Sequence, residues 1–270
     1  MMKAATQAAT KAAKLAVRQA SKSYGDLVAI RDCSFEVQAD TIVSIVGPSG
    51  CGKTTLLWSM SGLHGLTQGE VLLDGARIQG PHAEIGLVFQ EANLLPWRNL
   101  IDNVLFPFEI KRQKPDRDWI DHLLDRVGLR GFEKSFPREL SGGMQQRASN
   151  VHALSLRPSV LLMDEPFGAL DAFTREEMNR LVKEIWLETR TTIVFITHSI
   201  EEAIFLSDRV LVLSNRPGTV MADHEVPFLR PRTLETMASR EVFDLTNRIK
   251  ADIYGLRGAT KTTTAKAAAK

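Results

Sequence analysis

A glycine-rich run from Gly47 to Thr54, with the pattern G-x-x-x-x-G-K-T, offers the first recognisable chemistry in this sequence. Glycines let a backbone wrap tightly, so that successive N–H groups can point at phosphate oxygens. An apolar segment precedes the run, and a helix predicted from Lys53 to about Ser61 would turn the positive end of its dipole toward the same anion. The run therefore predicts a nucleotide-phosphate site. The residues expected to line it are Gly47, Pro48, Ser49, Gly50, Cys51, Gly52, Lys53, Thr54 and Thr55.

Two acidic residues, Asp164 and Glu165, end the apolar segment Val160–Met163. A carboxylate at such a strand tip can hold Mg²⁺ together with the hydroxyl of Thr54, and Lys53 would reach the β- and γ-phosphates. Glu165 would then orient the attacking water or take its proton. Taken alone, two acids after a strand are more often a helix start or a solvated edge. Downstream of a phosphate-binding loop, they predict a hydrolytic site.

His198 also follows an apolar segment, Ile193–Ile196, after one intervening threonine. Ligands of open α/β sheets bind at the carboxyl ends of the strands. We expect His198 to hydrogen-bond the γ-phosphate and its water. The alternative is a histidine whose ring is satisfied by backbone near a helix start.

A second glycine-rich turn, Leu140-Ser-Gly-Gly-Met-Gln-Gln-Arg147, enters another predicted helix and carries its own hydroxyl. This run resembles the signature motif of ATP-binding-cassette (ABC) ATPases. The resemblance implies a head-to-tail homodimer in which each signature contacts the ATP held by the partner's phosphate loop. The residues assigned to that contact are Ser141, Gly142, Gly143 and Gln145.

Other positions match the same family in the same order. Tyr24 resembles the aromatic residue that stacks on adenine, although an ordinary turn tyrosine is an equal alternative. Gln90 resembles the glutamine that senses Mg²⁺ and links to the permease, and Ala169-Leu170-Asp171 resembles the loop that bridges the two sites. The cofactors implied are ATP and Mg²⁺. The resemblance assigns catalysis to Glu165, His198, Lys53 and Gln90, and the metal to Thr54, Gln90 and Asp164.

Finer likeness lies in Leu94–Leu100 and Phe228–Arg232, which resemble the importer branch for nitrate, sulfonates, taurine and related small solutes. That implies an ATPase subunit at the cytoplasmic face of the inner membrane, with transmembrane permease subunits and a separate substrate-binding protein as partners. Trp97 would suit docking against a permease, since aromatic residues anchor interfaces. Packing of Trp97 under its own loop is the alternative.

Short apolar segments alternate with helical periodicity along the chain. Those without polar alternation are typical of strands buried on both faces of a mostly parallel sheet: Thr41–Val46, Ile85–Phe89, Val160–Met163, Thr192–Ile196 and Val210–Leu213. Phe173–Glu188 has apolar residues at helical spacing. Asp32–Val37 and Glu70–Leu73 alternate, which indicates an antiparallel appendage. We therefore predict an α/β fold: a P-loop NTPase core, an N-terminal antiparallel β subdomain and a helical lobe inserted at about 92–157.

The domain is expected to span 14–258, with an N-terminal tail at 1–13 and a disordered, Ala-Thr-Lys-rich tail at 259–270. The 270 residues are 44% hydrophobic, enough for a sizeable core, and carry a net charge of +2, which does not favour nucleic acid as a partner. Cys33 and Cys51 are too few for a disulfide framework. No apolar run is long enough for a transmembrane helix.

Two positions in the predicted signature helix depart from the family. Asn150 stands where an apolar residue is usual, and His152 where an arginine is usual. A buried Asn150 without partners would cost about 1–3 kcal/mol. A nucleotide-binding regulatory module with weak hydrolysis is therefore an alternative to a full ATPase. An ABC ATPase of translation or DNA repair is less favoured, because such chains carry two cassettes or long coiled coils.

Overall fold

The computed structural model describes residues 13–168 and 170–267. Ten strands occur in this part of the chain: β1 (Ala13–Tyr24), β2 (Leu27–Gln38), β3 (Ile42–Val46), β4 (Gln68–Leu73), β5 (Ala76–Arg77), β6 (Ile85–Val88), β7 (Val160–Asp164), β8 (Thr192–Ile196), β9 (Arg209–Leu213) and β10 (Val220–Glu225). The helices are α1 (Lys53–Met60), α2 (Leu100–Lys111), α3 (Arg117–Arg126), α4 (Gly142–Ser155), α5 (Ala172–Thr189), α6 (Ile200–Leu206), α7 (Leu234–Met237) and α8 (Arg240–Ala267).

The central sheet has six strands in the order β10-β9-β3-β8-β7-β6. All neighbours are parallel except β10, which pairs antiparallel with β9 at one edge. Every residue of β3, β7 and β8 is buried, because structure covers both faces of the sheet. The residues of β7 and β8 that contact α4 and α5 belong to one apolar core, and their neighbours that contact α1 and the smaller sheet belong to another. The α/β prediction is confirmed.

A smaller antiparallel sheet, in the order β2-β1-β4-β5, covers one side of the central sheet. Along β2, Cys33, Phe35 and Val37 are buried while the residues between them are exposed, which is the alternation that the sequence predicted. Asp74 and Gly75 join β4 to β5 with φ values of 47° and 80°. Two successive positive φ angles are the requirement of a type I′ hairpin turn. The predicted antiparallel appendage is therefore present.

Between β6 and β7 the described chain is helical, with α2, α3, a 3₁₀ turn at Pro137–Glu139 and α4. Each of the three helices has a polar N-cap side chain that accepts a backbone N–H from three residues ahead. Asn99 caps α2, Asp116 caps α3 and Ser141 caps α4. Caps of this type stabilise a helix by about 1 kcal/mol each. This is the position in which the helical lobe was predicted.

The last helix, α8, runs through Ala267 and therefore into the segment 259–270 for which disorder was predicted. The disorder indicated there by composition stays a prediction. Residues 1–12 and 268–270, which belong to the predicted tails, and Ala169 of the predicted bridging loop lie outside the described residues. Within the described part, no helix is long and apolar enough to cross a membrane.

A candidate nucleotide-binding and hydrolysis site

The predicted phosphate loop joins β3 in the middle of the sheet to the start of α1. Gly52 caps α1 with φ 103°, and a Cβ there would lie 2.6 Å from the carbonyl oxygen of Ala29. A Cβ on Gly47 would lie 2.8 Å from the carbonyl oxygen of Leu213. Only glycine fits such approaches to backbone. Pro48 and Cys51 are buried under the loop, whereas Ser49 and Gly50 are exposed at its tip.

Lys53 lies inside this loop. Its side chain is buried, and its Nζ donates to the carbonyl oxygens of Gly47 at 3.0 Å and Pro48 at 3.1 Å. The loop thus wraps around a fixed positive charge at the N-terminus of a helix, where an anion is favoured. Thr55, in the first turn of α1, is half-buried. These features fit the phosphates of a nucleotide.

Thr54 and Asp164 lie side by side, with Thr54 Oγ1 donating to Asp164 Oδ1 over 3.2 Å. Asp164 ends β7 and is 2% exposed. Burial raises the pKa of this carboxyl, and the Thr54 hydrogen bond lowers it in part. A cation would favour the charged form, and two oxygen donors match the preference of Mg²⁺. The pair therefore fits the predicted metal role.

Glu165 follows β7 and lies close to side chains that follow two other strands of the sheet. Its Oε2 lies 3.5 Å from Gln90 Nε2, beyond β6, and 3.5 Å from His198 Nδ1, beyond β8. The Glu165 backbone has φ 43°, and its N–H donates to the carbonyl of Ile196 at 3.0 Å. A non-glycine residue with positive φ persists when its surroundings fix it, and such residues cluster at active sites. The structure thus brings together three of the four side chains predicted to be catalytic.

The second glycine-rich turn lies apart from this cluster. Ser141 and Gly142 are exposed, and the hydroxyl of Ser141 caps α4 by accepting the Met144 N–H at 3.3 Å; Gly143 is half-buried. The side chain of Gln145 donates to the carbonyls of Pro137 and Leu140 in its own chain. In the described residues, no hydrogen bond joins this turn to the phosphate loop. The turn faces outward.

Tyr24 ends β1 with its ring 42% exposed. Its hydroxyl is 2.7 Å from His64 Nδ1, and Lys22 Nζ lies 5.0 Å from the ring centroid. The sequence did not single out His64, and no local pattern could have done so, because 40 residues separate it from the tyrosine. Glu202 and Arg175, which contact the loops of His198 and Glu165, were also missed.

Comparison with known proteins identifies the family. The ABC transporter family matches residues 30–168. The chain is 49% identical over 207 residues to the taurine import ATP-binding protein TauB of Roseobacter denitrificans, covering 76% of this chain and 77% of that protein. It is 41% identical over 218 residues to the aliphatic sulfonates import ATP-binding protein SsuB of Bacillus cereus, covering 80% of this chain and 86% of that protein.

Among solved structures, the dimeric post-hydrolysis state of the ATP-binding cassette MJ0796 bound to ADP and Pi is similar to this chain. The TM-score is 0.71 at 30% identity, over 80% of this chain and all of that one. The family predicted from the signature turn is thereby confirmed. The chain belongs to the ABC transporter family and is the ATP-binding, ATP-hydrolysing subunit of such a transporter.

Proposed function

We propose that this subunit powers the import of a small sulfonate such as taurine, using ATP and Mg²⁺. The names of the relatives at 49% and 41% identity support the solute class. The observation that carries the hydrolytic part is the meeting of Gln90, Glu165 and His198 beside the Thr54–Asp164 pair. All five side chains lie at the same edge of the central sheet, where open α/β sheets bind their ligands.

Each side chain has a definite task in this proposal. Lys53 holds the β- and γ-phosphates, and Thr54 and Asp164 hold the metal with Gln90 nearby. When bound, Mg²⁺ would neutralise the negative charge that develops on the phosphates. Glu165 accepts the proton of the water that attacks the γ-phosphate, and His198 donates to the γ-phosphate. Gln90 and His198 also fix the Glu165 carboxylate, which places its oxygen toward the water.

The active form in this proposal is a homodimer. The exposed turn at Ser141, Gly142, Gly143 and Gln145 would contact the nucleotide held by a second copy, and Tyr24 would stack on the adenine. Support comes from the outward orientation of the turn and from a relative that is described as dimeric. ATP that contacts both chains favours the closed dimer, and its hydrolysis reopens it, because only a difference in affinity can shift a conformational equilibrium.

The remaining partners in the proposal are transmembrane permease subunits and a separate substrate-binding protein, which place this subunit at the cytoplasmic face of the inner membrane. Trp97, 71% exposed, suits contact with the permease, because large exposed aromatic residues anchor interfaces. This exposure favours docking over the alternative that Trp97 packs under its own loop.

The test of the hydrolytic assignment is Glu165→Gln. We expect it to retain ATP binding and to lower kcat by about 10²–10⁴-fold, the contribution typical of a general base. Because ATP would persist, the variant should accumulate a dimer in size-exclusion chromatography with Mg·ATP. The control is Glu177→Gln, an exposed glutamate on α5, which should leave kcat unchanged. Normal hydrolysis by Glu165→Gln would remove Glu165 from the base role.

Asn150 supports a second candidate, a regulatory module with weak hydrolysis. Its buried amide lacks hydrogen-bond partners among the described residues, and it belongs to α4, the helix that begins at the turn that would contact the second nucleotide. Proteoliposomes containing the permease decide between the two. Taurine uptake with Mg²⁺-dependent ATPase activity supports the importer, and ATP binding without turnover supports the regulatory module. Uptake of nitrate but not of sulfonates would overturn the proposed solute class.

A further inference from the structure

Glu202 on α6 is a buried carboxylate, 8% exposed, adjacent to the loop that carries His198. Its Oε2 accepts a hydrogen bond from Thr197 Oγ1 at 2.6 Å. The Thr197 hydroxyl in turn accepts the backbone N–H of Ser199 at 3.0 Å. The Glu202 backbone N–H donates to the Ser199 hydroxyl at 3.2 Å. Glu202 therefore holds the residues on both sides of the histidine.

The second oxygen of the same carboxylate forms an ion pair with Arg175 on α5, the helix that follows the other catalytic loop. Glu202 Oε1 lies 3.5 Å from Arg175 Nε, and Arg175 Nη2 donates to the carbonyl of Leu170 at 2.8 Å. Leu170 lies five residues after Glu165, whose carbonyl accepts the Gly168 N–H at 3.0 Å. Arg175 thus ties Glu202 to the segment that carries the candidate base.

We propose that Glu202 is a positioning residue for hydrolysis, holding the His198 loop through Thr197 and the Glu165 loop through Arg175. The inference rests on the proposed hydrolytic roles of Glu165 and His198. Those two side chains come from loops on different strands, and their 3.5 Å contact requires the loops to keep a fixed separation. The Glu202 carboxylate links the two loops through the Thr197 hydrogen bond on one side and through its ion pair with Arg175 on the other.

The electrostatics agree with a constrained carboxylate. Burial raises the pKa of Glu202, while the Thr197 hydrogen bond and the Arg175 charge lower it. A buried carboxylate is retained where it is both hydrogen-bonded and paired with a charge. The neighbouring Glu201 is exposed and has no such contacts in the described part of the chain. Two adjacent glutamates on one short helix thus provide a matched pair for substitution.

The activity experiment compares Glu202→Leu and Glu202→Gln with Glu201→Leu. Loss of both loop contacts should lower kcat about 100-fold with Glu202→Leu, the penalty typical of a misplacement of about 1 Å. Glu202→Gln keeps an acceptor for Thr197 and should recover part of that loss. The KM for ATP should stay within about twofold of wild type, because Lys53 and its loop are untouched. Glu201→Leu should behave as wild type.

A double substitution tests whether the two residues act together. Arg175→Met combined with Glu202→Gln should reduce kcat no more than the worse single variant, because each breaks the same link. Additive losses would show that the two residues act independently, which overturns the proposed link. A fall in thermal midpoint with unchanged kcat would show that Glu202 only stabilises the fold.

Hydrogen exchange of the nucleotide-free protein separates this inference from the proposed function. Glu202→Leu should accelerate amide exchange about tenfold in peptides from both loops, 165–171 and 197–200. Glu201→Leu should leave exchange unchanged in both peptides. Acceleration confined to one loop overturns the inference even if the ATPase assignment holds. If wild type hydrolyses no ATP, the proposed function fails while the exchange result still decides whether Glu202 couples the loops. Should Glu202→Leu not fold, Glu202→Gln takes its place, with exchange expected to rise in 165–171 first.

Discussion

Replacing Asn150 with leucine should stabilise this protein. Asn150 is 2% exposed within α4, and neither its Oδ1 nor its Nδ2 has a hydrogen-bond partner among the described residues. The adjoining cavity has a volume of about 10 Å³, at the lower limit of the size that holds one water molecule. Its apolar lining comes from α4, α5, β7 and β8: Leu154, Leu161, Met163, Leu181, Val182, Ile185, Trp186 and Ile193.

The magnitude follows from two terms. An unsatisfied buried polar group costs about 1–3 kcal/mol, and leucine has the branched shape of asparagine with methyl groups in place of the amide. Slight overpacking of the small cavity opposes this gain. We expect a net increase of about 1–2 kcal/mol in the free energy of unfolding. For a domain of this size the thermal midpoint should rise by about 2–4 °C per kcal/mol.

Asn103 provides the matched control, since it is also 2% exposed within a helix. Its Nδ2 donates to the carbonyls of Leu95, Arg98 and Asn99, and its Oδ1 accepts the Leu95 N–H. Asn103→Leu removes the partner of the Leu95 N–H and the side-chain partner of the Arg98 carbonyl, while the Leu95 and Asn99 carbonyls keep backbone partners. It should cost about 2–4 kcal/mol, because each unsatisfied buried group is penalised. The same substitution at equal burial therefore has opposite signs at the two positions.

Urea denaturation followed by circular dichroism measures both variants. The midpoint concentration should rise for Asn150→Leu and fall for Asn103→Leu with unchanged slopes, so that the difference reports stability. A loss of stability in Asn150→Leu as large as that in Asn103→Leu would refute the reasoning. It would mean that the Asn150 amide has partners in solution.

Two further predictions concern the phosphate loop and a half-buried histidine. Lys53→Ala should weaken ATP binding at least tenfold in a fluorescent-nucleotide titration, because the loop loses its only buried ammonium among the described residues; an unchanged Kd would contradict the assignment. Burial lowers the pKa of His152 below its usual 6.5, against a smaller opposing effect of the Asn103 carbonyl, so the unfolded chain binds the proton more readily. The free energy of unfolding should therefore fall as pH decreases through about 6.5. His152→Gln should reduce this pH dependence, measured by urea titrations at pH 5.5–7.5. An equal pH dependence in the variant and in wild type would exclude His152 as the cause.

The sequence was sufficient for the parts of the site that are encoded locally. The phosphate loop, the acids after β7 and the histidine after β8 each lie in a short segment whose apolar run marks the strand that delivers it. Because both faces of those strands are buried, their predicted limits differ from the observed ones by one residue or less.

What the sequence could not supply are contacts between distant segments. His64 beside Tyr24, and Glu202 beside Arg175, become neighbours only when the chain folds. Glu201 and Glu202 look alike in sequence, and only the packing of α6 decides which is buried. Likewise, the sequence shows that Asn150 departs from the family. Only the folded positions of α5 and β8 show that its side chain has no hydrogen-bond partner.

The route of the chain through the helical region has a mechanical consequence. The chain leaves the sheet after β6 and returns at the start of β7, and these two strands are neighbours at one edge. Because β6 and β7 are parallel, the end of β6 and the start of β7 lie at opposite ends of the pair. The two connections to the helical region therefore define a rotation axis along this edge of the sheet. A rotation of the helical region about that axis would leave the phosphate loop, at the centre of the sheet, in place. Because Gln90 lies at one end of that axis, such a rotation would displace its backbone little and would change its contact with Glu165 by reorienting its side chain.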